Sequence, residues 1–134
     1  MFGLFGKDSK DPELKEIRIK KKELRKLVKE KKYDYALKSS LKLLNKVPHE
    51  NDVLFIVGSI YYMKNNYHTA ISYLDKSLEI AEYDTEALLL KALSHFQLQQ
   101  LKKAKNACDK ILEIDPKNKA VADLLLKINH TNNS

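Results

Sequence analysis

Ala36, Ala70 and Ala104 stand 34 residues apart, and Tyr33, Tyr67 and Leu101 precede them at the same interval. The surrounding text is similar each time: "KKYDYALKSSLKLLNK" at 31–46, "NNYHTAISYLDKSLEI" at 65–80 and "QQLKKAKNACDKILEI" at 99–114. A recurrence of this length marks stacked supersecondary units, each too small to bury its own apolar face. No other feature limits the fold as much, because each unit must repeat one conformation and pack on its neighbour.

Each unit divides into two helical patterns. In the second, a helix runs from about Asp52 to Lys64, "KNN" (64–66) breaks it, and another begins near His68. In the third, Thr85 opens "ALLLKALSHFQL" before "QQ" and the turn into a second helix. A small alanine on the second helix lets its partner approach, and the Tyr or Leu three residues earlier fills the wedge beside it. Pro48 and Pro116 close the first and third units, since a missing N–H and a fixed φ stop a helix. The second unit has Glu82 in that column, so its second helix is free to run on to Tyr83. Asp11–Pro12 offers an N-cap and a first-turn proline for an opening helix over Pro12 to about Lys31. "NKAVADLLLKIN" (118–129) reads as a final amphipathic helix covering the last open face, so seven helices are expected.

The sequence is similar to the tetratricopeptide repeat (TPR) proteins. Leu54, Gly58, Tyr61, Tyr67 and Ala70 occupy the family's signature columns in the second unit. Leu88, Ala92, Ala104 and Pro116 do so in the third, and Leu24, Leu27, Tyr33, Ala36 and Pro48 in the first. The first helix departs from the pattern with Lys20 and Glu23, as suits a terminal helix with no earlier unit to bury against. The resemblance implies an all-α, right-handed superhelical solenoid of antiparallel helix pairs, with repeats at about 17–50, 51–84 and 85–118 and a capping helix at 118–129. The TPR domain then spans 12–130, preceded by a flexible apolar and charged tail at 1–11 and followed by a disordered tail at 131–134.

In that family the first helix of each unit lines a concave peptide groove. The resemblance places Arg18, Lys21 and Arg25 in the groove, with Val28 and Lys29; then Phe55, Ser59, Tyr62 and Met63, with Asp52; then Leu89, Leu93 and Phe96, with Glu86 and Gln97. Periodicity points the same way, because "LFIVGSIYYM" is apolar on every side and leaves Phe55, Tyr62 and Met63 outside a core stripe of Leu54, Val57, Gly58 and Tyr61. The competing reading is that these side chains only complete the core of a small array. Some TPR proteins clamp a partner's terminal carboxylates, but Ile56, Glu86 and Leu90 occupy columns where that clamp uses Asn, Lys and Arg. Chaperone-tail binding is therefore not expected. The expected partner is another protein, entering as a peptide or amphipathic helix with an acidic flank.

The chain of 134 residues carries a net charge of +7, concentrated at its start. Residues 1–32 hold twelve Lys and Arg against six Asp and Glu, a net of +6, and the rest only +1. Binding of nucleic acid or an anionic surface through "IRIKKKELRKLVKEKK" (17–32) is the alternative reading. Glu23 and Glu30 interrupt that run and no aromatic residue interleaves to stack on bases, so a solvated face on a terminal helix is the favoured reading and nucleic acid is not the expected partner. For "MFGLFGK" (1–7) the readings are a disordered tail, light membrane contact, or docking into the chain's own groove or a neighbour's, and self-association stays open.

Catalysis is not expected. His49, His68, His95 and His130 show no metal-ligand spacing, and His95 sits in a core column as a packing residue. Cys108 has no partner for a disulfide and reads as a small buried hydrophobe. No metal and no cofactor is implied. The longest apolar run, 53–63, is short of the roughly 18 residues a spanning helix requires. No secretory signal pattern opens the chain, so a cytoplasmic protein is expected, acting as an adaptor or scaffold.

Overall fold

The structure, a computed structural model, describes residues 11–133. The apolar segment at 1–7 and Ser134 lie outside the described residues. Seven helices and no strand occur among them: α1 (Pro12–Lys29), α2 (Tyr33–Lys46), α3 (Asn51–Met63), α4 (Tyr67–Ile80), α5 (Thr85–Gln97), α6 (Leu101–Ile114) and α7 (Lys119–Asn133). Contacts divide the chain into two units, residues 1–48 with α1 and α2, and residues 49–134 with α3 to α7.

Unit 1 is one helical hairpin. Asp11 caps α1 by accepting a hydrogen bond from the Glu13 N–H at 2.8 Å, with Pro12 at the first helical position, so the expected start is realised. α1 ends at Lys29, two residues before the expected end, because Lys31 takes a left-handed φ of 61°. Around it, Lys31 N–H donates to Val28 O and Lys32 N–H to Leu27 O, both at 2.9 Å, the paired bonds of a Schellman cap. Leu24 is buried on α1, and Ala36, Ser40 and Leu43 on α2, spaced four and three apart as one helical stripe requires.

The same cap closes the first helix of each later pair. Asn65 (φ 63°) and Gln99 (φ 59°) lie 34 and 68 residues after Lys31. Asn66 N–H reaches Tyr61 O, and Gln100 N–H reaches His95 O, each at 2.9 Å. A left-handed residue costs a non-glycine side chain about 1–2 kcal/mol, yet all three are non-glycine.

In unit 2 the sequence expectation about the alanines holds with an addition. Ala70 and Ala104 have no exposed surface, as does Ala36 in unit 1. On α3, Gly58 faces α4 so closely that a Cβ there would sit 2.9 Å from Leu74 Cγ and 3.4 Å from Ala70 O. Both helices therefore use a minimal residue at the crossing. One core cluster joins Ala70, Leu74 and Ala87; another joins α5, α6 and α7 through Leu88, Cys108, Ile111, Val121, Leu124 and Ile128.

Several local expectations change. α4 does not run on to Tyr83: it ends at Ile80, and Asp84 starts α5 by accepting from the N–H groups of Glu86 and Ala87 at 3.0 and 3.3 Å. A strong N-cap decides the boundary where no proline does. On α3, Val53, Ile56 and Ile60 are buried in addition to Leu54, Val57 and Gly58, so more than half of the helix circumference is enclosed. Tyr61, expected in the core stripe, is half-buried and stacks on Tyr73 with ring centroids 5.7 Å apart. α7 continues through Asn133, past residue 130, where the sequence places the end of the domain.

Candidate functional site

The face of α3 that remains outside the buried arc carries Phe55, Ser59, Tyr62 and Met63, at spacings that keep them on one side of the helix. Phe55 and Tyr62 are half-buried and pack against the cluster of Ala70, Leu74 and Ala87. The Tyr62 ring meets Tyr67 edge-on with centroids 5.6 Å apart, and burial pushes its phenol pKa upward. Ser59 donates its hydroxyl to Phe55 O at 2.8 Å, so that proton is already used. Met63 is 53% exposed.

On α5, Leu89, Leu93 and Phe96 are half-buried and pack on the cluster shared with α6 and α7. α3 and α5 also touch directly within unit 2. These side chains thus serve the core with one side and keep accessible apolar surface on the other, an intermediate between the two readings of the sequence. Glu86, exposed in the first turn of α5, makes the end of this face acidic. Arg18, Lys21 and Arg25 lie on α1 in unit 1; Arg18 and Arg25 are exposed, Lys21 half-buried.

The columns where a carboxylate clamp would need Asn, Lys and Arg hold a buried Ile56, an exposed Glu86 and a half-buried Leu90. None of the three can donate a side-chain hydrogen bond to an anion at neutral pH.

A feature not read from the sequence is a hollow of about 480 Å³ among α4, α5 and α6, lined by Leu78, Leu88, Lys91, His95, Lys103 and Lys110 among others. Lys91 Nζ binds Asp75 at 2.7 Å, and Lys110 Nζ lies 3.7 Å from Glu82. The available signal was Lys91 itself, which stands 34 residues after buried Val57. His95 is buried at the hollow's edge, its Nδ1 2.7 Å from Gln100 Oε1, and burial lowers its pKa despite that bond. It is a partnered packing residue, as its column implies. Cys108 is fully buried, and desolvation pushes its thiol up to about 11, which removes the thiolate a nucleophile needs. Among the described residues, no group of three His, Cys, Asp or Glu could hold a metal ion, and no helix is long and apolar enough to cross a membrane.

A family model, that of subunit 3 of the anaphase-promoting complex, cyclosome, matches residues 29–119 and so covers most of the repeat region. The chain belongs to this family of TPR proteins. Among curated proteins none matches. Among solved structures, the first TPR of Spaghetti (RPAP3), determined bound to the HSP90 peptide SRMEEVD, is 25% identical, with a TM-score of 0.82 over 87% of this chain and 92% of its own. The first TPR domain of human RPAP3 is also 25% identical, with a TM-score of 0.76 over 84% and 88%. The type III secretion translocator chaperone SycD of Yersinia enterocolitica is 14% identical but reaches a TM-score of 0.82 over 88% and 86%, which shows the fold alone. The all-α TPR solenoid fold that the resemblance implies is the fold of these structures.

Proposed function

We propose that this TPR protein is a non-catalytic, cytoplasmic interaction module whose apolar face on α3 and α5 receives a peptide or amphipathic helix of a partner protein. The observation that carries the reading is the half-buried state of Phe55, Tyr62, Leu89, Leu93 and Phe96 beside an exposed Met63. Side chains already held by the core are preorganised, so little rotamer entropy is lost when a partner covers them. The reading takes the repeats as about 17–50, 51–84 and 85–118.

The Spaghetti TPR was determined with SRMEEVD, a peptide rich in carboxylates. Here Ile56, Glu86 and Leu90 offer no donors for such a tail, so the partner is recognised through apolar anchors instead. The test is affinity capture from native lysate with the wild type, Met63→Glu, and a Tyr62→Glu/Leu93→Glu variant, with circular dichroism as a check on folding. The charged variants should lose the captured protein while staying helical, and SRMEEVD should not bind the wild type. A folded double variant that retains every partner refutes the reading.

A further inference from the structure

α1 carries cations beyond Arg18, Lys21 and Arg25. At 3.6 residues per turn, Lys15, Arg18, Ile19, Lys22, Lys26 and Lys29 fall on one stripe about 100° wide and about 21 Å long. All six are exposed, Ile19 by 52%. The helix carboxylates Glu13 and Glu16 lie away from the stripe, Glu16 turned to Lys20 at 3.0 Å, and Glu23 stands at its border, lining one shallow hollow with Ile19, Lys22, Lys26 and Lys29. Beyond the helix, Glu30 pairs with Lys32 at 3.1 Å. The alternation of signs in the sequence is therefore resolved by the helix into a face with five cations and one carboxylate, Glu23, at its edge.

We propose that this stripe is a docking surface for an anionic phospholipid bilayer. Charge complementarity draws it to negatively charged headgroups, and a straight helix face fits a flat surface along its whole length. The exposed Ile19 within the stripe favours lipid over nucleic acid, because the headgroup boundary accepts an aliphatic side chain and a phosphate backbone does not. The stripe has no aromatic residue to stack on bases and more Lys than Arg, which suits point-charge attraction to headgroups. The proposal does not depend on the partner-binding face of α3 and α5, and Lys22 and Lys26 are not among the residues assigned to partner binding.

The experiment is vesicle flotation of the full-length protein at low and high salt. Vesicles of phosphatidylcholine alone are compared with phosphatidylcholine containing phosphatidylglycerol. Binding to the anionic vesicles only, weakened by salt, is expected. Lys22→Glu/Lys26→Glu should reduce that binding at least about tenfold with helicity unchanged, and Lys22→Arg/Lys26→Arg should retain it. Equal recovery with neutral and anionic vesicles overturns the proposal. So does unchanged binding of the charge-reversed variant, or binding of single- or double-stranded DNA by a protein that leaves both vesicle types unbound.

Discussion

The two units are built from the same 34-residue grammar but solve different problems. Residues 1–48 carry fifteen Lys and Arg against seven Asp and Glu, a net of +8, whereas residues 49–134 carry ten against eleven, a net of −1. In unit 1 the long α1 buries a single residue, Leu24, and leaves Leu14 and Ile19 exposed. In unit 2, α3 buries six of its thirteen residues, and α5 to α7 share one continuous cluster. A repeat thus fixes the backbone while the side chains on it remain free to make a polar terminal element or an enclosed core helix. Stability should reside in unit 2 and charge-driven contact in unit 1.

The strongest way to break this contrast is to separate the units. Residues 49–134 alone should keep a helical spectrum and a cooperative thermal transition; residues 1–48 alone, a hairpin with four buried side chains among those described, should be largely unfolded. A folded isolated hairpin would show that the period, not the core, carries the stability. Next in size, Ile60→Ala in α3 should cost about 3–5 kcal/mol in denaturant unfolding, and Leu24→Ala in α1 nearer 2 kcal/mol, since a hollow of about 210 Å³ already borders Leu24. Equal losses would erase the distinction. Gly58→Val should cost about 2 kcal/mol, because the contact it violates is the branch carbon of Leu74 and not a movable tip.

A smaller effect sharpens the comparison through pH. The Cys108 thiol, raised to about 11 in the fold from 9.0, favours the folded state fully below pH 9. That contribution is lost as pH rises through about 11, because the unfolded thiol ionises first. The difference in stability between wild type and Cys108→Ala should therefore shrink between pH 8 and 11, by no more than about 2 kcal/mol. In the folded protein the thiol should resist alkylation at pH 8. The smallest effect is a gain: Lys31→Gly and Gln99→Gly should each stabilise by about 0.5–1 kcal/mol, since glycine removes the left-handed strain.

Much of this was legible because it follows from sterics at helix crossings. Ala36, Ala70 and Ala104 could be read as fully buried since nothing larger fits where paired helices meet. The burial of Val53, Ile56 and Ile60 was not, because α3 is apolar all round and its periodicity cannot say which arc is enclosed. The end of α4 was not legible from the absence of proline at Glu82, because the capping carboxylate of Asp84 sets the boundary. For the candidate site, repeat columns located Phe55, Tyr62, Leu89, Leu93 and Phe96, but a column does not report how deeply a side chain sinks between neighbours. The hollow with Lys91 stayed hidden because its ion pair with Asp75 joins two different helices.

The left-handed caps at Lys31, Asn65 and Gln99 also govern how such a chain can change in length. One residue inserted at any of these turns would rotate the following helix by about 100° and swing its buried alanine out toward water. The stretches at 47–50, 81–84 and 115–118 lie between helix pairs, so an added loop or tag there leaves each pair's internal geometry untouched. Growth of the array is therefore permitted only at its joints, in whole units.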